Sequence, residues 1–112
     1  MVDILFHAHH AVISENMRAR AARTVNKIAS RMTRVTGAVV RFEEDGPMRR
    51  VVIELHASGR KLVADSSGAY FGNALSDAGQ RLLGRVQRER RDKNKKHPMR
   101  ARRRASTDTA TA

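Results

Sequence analysis

Hydrophobic positions follow two periods along this chain, and each change of period marks an element. Val2, Ile4 and Phe6 alternate with Asp3, Leu5 and His7, which predicts a strand with one buried face. From Met17 the step lengthens. Met17, Ala21, Val25, Ile28 and Met32 recur every three or four residues, the stripe of an amphipathic helix. Ser14, followed by Glu15 and Asn16, suits its N-cap, and the helix is expected to run to about Thr33. Alternation returns at Ala38, Val40 and Phe42, and again at Val51, Ile53, Leu55 and Ala57. Glu44-Asp45-Gly46-Pro47 between these runs is turn chemistry. A second turn at Ser58-Gly59-Arg60 leads to a short fourth strand, Lys61 to Ser66, with Leu62 and Ala64 facing inward. Phe71, Leu75, Ala78, Leu82 and Val86 then resume the helical period in a stretch from Gly68 to Lys96, with Ser67 as the expected N-cap.

The predicted order is therefore β-α-β-β-β-α, an α+β fold. Its four-stranded, mainly antiparallel sheet would carry two parallel helices packed on one face. Ile4, Phe6, Val25, Ile28, Val40, Ile53, Leu55, Leu75 and Leu82 should share one core. Gly72, Gly79 and Gly84 dilute the second helix at about 0.5–1 kcal/mol each, so it should need docking or close backbone contact to hold its shape. Pro98 closes any helix before it. Residues 1–97 read as one domain, and 98–112 as a basic tail with no apolar period, disordered until bound.

Charge sharpens the picture. The net charge is +12, but residues 1–80 carry eleven Lys/Arg against eight Asp/Glu, whereas 81–104 carry twelve against two. A block this dense self-repels unless it meets polyanion, which points to nucleic acid. An anionic membrane is the poorer partner, because the apolar face of the second helix is diluted by Ala and Gly. Arg20, Arg23, Lys27, Arg31 and Arg34 line one flank of the first helix. Arg81, Arg85 and Arg88 line one flank of the second, and Arg90, Arg91, Lys93, Lys95 and Lys96 continue beyond its apolar stripe. The two flanks are offset from their stripes in the same sense, so parallel helices would present both on one face of the domain. The absence of cysteine fits a reducing cytosol, and no apolar run is long enough for a membrane span or signal segment. A soluble, cytoplasmic protein is expected.

Other chemistry is thinly represented. His7, His9 and His10 lie close in sequence, and His7 could share a sheet face with His56, but a metal needs three or four convergent ligands. Glu43-Glu44-Asp45 at a hairpin tip reads as a solvated turn rather than a Mg²⁺ or acid/base site. Phe71 belongs to the core stripe, which leaves Tyr70 as the aromatic free to stack. No metal, cofactor, small-molecule substrate or enzymatic activity is expected.

From Val2 to about Lys96 the sequence resembles the short ribosome hibernation factors, also described as ribosome-associated inhibitors or sigma-54 modulation proteins. Ile13-Ser14-Glu15-Asn16-Met17-Arg18 is similar to the family's Ile-Thr-Glu-Ala-Leu-Arg helix opening. Lys27-Ile28, four residues before Met32, falls where the family has Lys-Leu followed by an aromatic, and Asp65-Ser66-Ser67-Gly68 falls at its strand-four exit. Leu75, Leu82 and Val86 occupy its second-helix core positions. The family's Asp-Leu-Tyr-Ala-Ala-Ile-Asp is replaced here by Tyr70-Phe71-Gly72-Asn73-Ala74-Leu75-Ser76, and a Gly often found after strand one is Ala8. The resemblance implies binding to the small ribosomal subunit, or the whole ribosome, where mRNA and the A- and P-site tRNAs lie. It implies inhibition of translation and storage of idle ribosomes under stress, by a chain that is monomeric when free. Carried over by position, the rRNA contacts would be Arg20, Arg23, Lys27 and Arg31 on the first helix and Arg81, Arg85, Arg88, Arg91 and Lys95 on the second. Their role would be to neutralise phosphates and fix register. The element order also contains that of a double-stranded-RNA-binding domain, so a structured-RNA binder unrelated to hibernation is the alternative. Against it, Gly46-Pro47-Met48-Arg49 lacks that family's His, and the second helix opens without lysine.

Overall fold

The structure, a computed structural model, describes the backbone of residues 2–96 and the side chains of residues 2–89. The elements follow as β1 (Ile4–His9), α1 (Glu15–Ala29), β2 (Val35–Asp45), β3 (Met48–Ala57), β4 (Arg60–Gly68) and α2 (Phe71–Lys96). The sheet order is β1-β2-β3-β4, with β1 parallel to β2 and the other pairs antiparallel. The α+β class and the β-α-β-β-β-α order are as the hydrophobic periods predict. The basic tail expected over 98–112 lies outside the described residues.

One core joins sheet and helices. Val40 and Phe42 from β2, Val51, Ile53 and Leu55 from β3, Val25 from α1, and Leu75 and Leu82 from α2 have no exposed surface. Both helices contribute to the same cluster, so they cover the same sheet face. The two turns use glycine where the backbone demands it. Gly46 (φ +59°) and Pro47 link Asp45 to Met48, and Gly59 (φ +75°) follows Ser58 between Ala57 and Arg60.

Three boundaries differ from the sequence reading. β1 is displaced toward His9, and Ile4 and Phe6 are only half buried, because β1 is an edge strand with a neighbour on one side. α1 ends at Ala29 rather than Thr33. The Ser30 hydroxyl donates to Lys27 O, Arg31 N and Met32 N donate to carbonyls three residues back, and Arg34 (φ +60°) turns the chain into β2. Ser67 does not cap α2. It is the strand partner of Arg50, as Gly68 is of Arg49, so β3 draws β4 out by two residues. The first helical bond of α2 runs instead from Ala74 N to Tyr70 O. Ser14 does cap α1, its Oγ accepting from Met17 N at 3.1 Å.

Glycine 79 shows what holds α2 in place. A Cβ there would stand 2.8 Å from Cγ2 of Thr24, whose rotamer is fixed by the bond from Oγ1 to Arg20 O. Gly84 meets nothing nearer than Arg88 Nη1 at 3.8 Å. Gly84→Ala is therefore expected to stabilise the protein by about 0.5–1 kcal/mol through helix propensity. Gly79→Ala should lose that gain and a further ~1 kcal/mol or more to overpacking. Opposite shifts of the two melting temperatures would establish the close helix–helix approach.

Candidate nucleic-acid interface

The two helices lie side by side and run the same way. Arg20 of α1 donates to Gly72 O at 3.3 Å and to Ser76 Oγ at 2.7 Å, and Thr24 meets Gly79 one turn further on. Rising numbers on α1 thus meet rising numbers on α2. A groove between them is lined by Thr24, Lys27, Ile28, Ser76, Gln80 and Leu83.

This packing decides where the cations go. At roughly 100° per residue, Gly79, Leu83 and Ser76 lie about 60–120° to one side of Leu82, the side that meets α1. Arg81, Arg85 and Arg88 lie about as far to the other side, over β4. Arg81 confirms the placement, its Nη1 donating to Asp65 O of β4 at 3.1 Å. Lys27 of α1 is exposed at the rim of the inter-helix groove, and Arg23 is exposed on the outer side of α1. The expected cationic flanks therefore share the helix side of the domain but do not merge. They form two rows with α2 between them.

Not every predicted site residue is equally available. Arg23, Lys27, Arg31, Arg85 and Arg88 are exposed and have no carboxylate partner among the described residues. Arg31 stands in the turn after α1 rather than on the helix. Arg20 is committed to α2, and Arg81 is shared with Asp65 O and, at 3.3 Å, with Asp77. Arg91 and Lys95 belong to the α2 backbone, but their side chains lie outside the described residues. The strut role of Arg20 is invisible to a charge count. The signal for it is the run Gly72, Ser76, Gly79, small residues at helical spacing beside the apolar stripe, which marks a helix–helix contact.

The sheet face away from the helices is the electrostatic opposite. Arg50 pairs with Glu43 at 3.1 Å and with Asp65 at 2.9 Å; at the hairpin end of the other, helix-covered face, Arg49 pairs with Glu44 at 3.3 Å and stands over the Phe71 ring of α2. Arg41 bonds Glu54, whose other oxygen is 3.4 Å from His56 Nε2. Glu43 and Glu44 of the hairpin are thus partners of sheet arginines. His7 and His9 share this outer face with Arg41 and Glu43, and no three potential metal ligands converge among the described residues.

Glu54 is 7 % exposed, and burial pushes its carboxyl up. The bonded Arg41 guanidinium, with Lys61 and His56, outweighs this and holds it below the ordinary 4.5. A depressed carboxyl stabilises the fold above its unfolded pKa, and that stabilisation disappears as pH falls through the folded value. Glu54→Gln is therefore expected to cost about 1 kcal/mol at neutral pH, a modest figure because Arg41 is partly solvated. Melting curves from pH 7 to 3 should show the variant losing less stability than the parent below about pH 4.5.

Among the described residues no helix is long and apolar enough to cross a membrane. No family model matches the chain, and no curated protein matches its sequence significantly. Solved structures do match. The chain is similar to a ribosomal subunit interface protein from Coxiella burnetii, with TM-score 0.74 and 11 % identity over 80 % of this chain and 98 % of that one. It is also similar to the N-terminal domain of Protein Y from Thermus thermophilus, with TM-score 0.68 and 18 % identity over 78 % and 98 % of the two chains. The fold that the family resemblance implied is therefore the fold this chain has, shared with these two structures over about four fifths of its length.

Proposed function

We propose that this chain is a cytoplasmic ribosome hibernation factor that docks on the small ribosomal subunit with its helix layer. There it occupies the region of mRNA and the A- and P-site tRNAs, inhibits translation and keeps idle ribosomes intact. The observation that carries this reading is the separation of charge between the two layers. Carboxylates neutralise the arginines of the sheet face, whereas Arg23, Lys27, Arg31, Arg85 and Arg88 on the helix side have none among the described residues. A rigid sheet beneath both helices keeps these cations ordered before binding, so little entropy is lost on docking. One of the two structures with this fold is named for the ribosomal subunit interface, which supports ribosome as the polyanion. No catalytic step, cofactor or small-molecule substrate enters the proposal.

Such a contact is dominated by phosphate neutralisation, so its affinity must fall steeply with salt. With about 6–10 phosphate contacts, binding to purified small subunits should weaken by roughly 10³–10⁵ between 50 and 200 mM salt. Co-sedimentation across that range measures the slope. A nearly flat response would rule out a phosphate clamp.

A further inference from the structure

The two cation rows are separated by a neutral ridge, and the separation itself specifies a ligand. Along the outer side of α2 the exposed residues Asn73, Ser76, Gln80 and Gln87 carry no charge, and Gly84 among them carries no side chain. The one described acid on this side, Asp77, is turned down toward β4, where its carboxylate accepts from Ser66 Oγ and pairs with Arg81. On one side of the ridge stand Arg23, Lys27 and Arg31, and on the other Arg81, Arg85 and Arg88. The rows are at least one helix apart, about 10 Å before side-chain reach is added. Arg20 and the Thr24–Gly79 contact fix that spacing.

A single nucleic-acid strand tracks one row of cations and leaves the other idle. Two rows at fixed spacing match two backbones. We propose that the helix layer straddles an RNA duplex across its minor groove, the α1 row on one sugar-phosphate strand and the α2 row on the other. The inference rests on the proposed rRNA-binding role of this surface and names the form of RNA it takes. The A-form minor groove is wide and shallow and displays 2′-hydroxyls and base edges, which suits a low convex ridge of amide and hydroxyl groups. Gln80 and Gln87 can donate to and accept from those hydroxyls, and Ser76, when not held by Arg20, can do the same. Gly84 lets the ridge settle between the backbones. The minor groove of B-form DNA, about 6 Å wide, is too narrow to admit the ridge.

The test uses the full chain and three probes: an RNA duplex of about 16 base pairs, the DNA duplex of the same sequence, and one RNA strand alone. Fluorescence anisotropy at physiological salt is expected to rank the RNA duplex at least tenfold above the other two. Gly84→Leu, whose Cβ meets only the far end of the Arg88 side chain at an ordinary 3.8 Å and which preserves charge, should weaken duplex binding about tenfold and leave single-strand binding and the salt slope unchanged. Its melting temperature verifies the fold. Lys27→Glu or Arg85→Glu alone should reduce duplex affinity to the single-strand level. Equal or tighter binding of the single strand or the DNA duplex overturns the inference, as does a Gly84→Leu variant that keeps full duplex affinity. Co-sedimentation with small subunits in parallel separates this idea from the one beneath it. Subunit binding without duplex preference overturns the straddle alone, and duplex preference without subunit binding overturns the ribosomal role alone.

Discussion

Lys27→Glu combined with Arg85→Glu is expected to abolish binding to the small ribosomal subunit and inhibition of translation, at an almost unchanged melting temperature. Lys27 stands at the groove rim of α1 and Arg85 on the opposite flank of α2, so the pair reverses one charge in each row. Each reversal removes a phosphate contact and sets a carboxylate against polyanion, a juxtaposition that costs several kcal/mol. Together they should lower affinity at least about a hundredfold and cut the salt slope by roughly two contacts. Both side chains are exposed and have no carboxylate partner among the described residues, so the fold should change by less than about 0.5 kcal/mol. Truncation after Pro98 is the control. Residues 99–112 have no apolar period with which to dock, and we propose that they act as an accessory that must be ordered at binding. Their loss should weaken inhibition far less than the helix double variant does. Cell-free translation at matched protein concentrations makes the comparison. If the truncated chain is inactive while the double variant still inhibits, the ribosome-binding surface is the tail.

Ile53→Ala is expected to remove a large share of the stability of the fold. Ile53 is fully buried on β3, an interior strand, where its strand partners are Val40 on β2 and Ala64 on β4. Removing its branched side chain opens a cavity under both helices at a cost of about 2–5 kcal/mol. Domains of this size hold only about 5–15 kcal/mol of stability. The melting temperature should fall by about 8–40 °C, at about 4–8 °C per kcal/mol. Ile53→Asp should not fold, because an unpaired carboxylate cannot be buried there. A circular-dichroism melt of Ile53→Asp that matched the parent would place this side chain on the outer face and overturn the sheet register.

The sequence by itself determined the elements and the layer to which each belongs. The period-two and helical repeats of Val, Ile, Leu and Ala report which face of each element avoids water, and that is a local property. Val40, Ile53, Leu55, Val25, Leu75 and Leu82 are buried as their spacing predicts. Ser14 caps α1 because a cap needs only its own next turn. Ser67 offered the same local chemistry and was overruled, since β3 presented a strand partner that no single-element reading contains. The cations divide in the same way. Composition and spacing show that both helices carry a basic flank, but the angular offset of a flank is measured from its own helix. Only the side-by-side packing sets the α1 flank on the groove and the α2 flank over β4. The same packing ties Arg20 to Gly72 and Ser76 and gives the carboxylates of the hairpin and β4 to the sheet arginines. Charge availability depends on distances between residues far apart in the chain. Tertiary structure alone turned a list of basic residues into two rows with a neutral ridge between them.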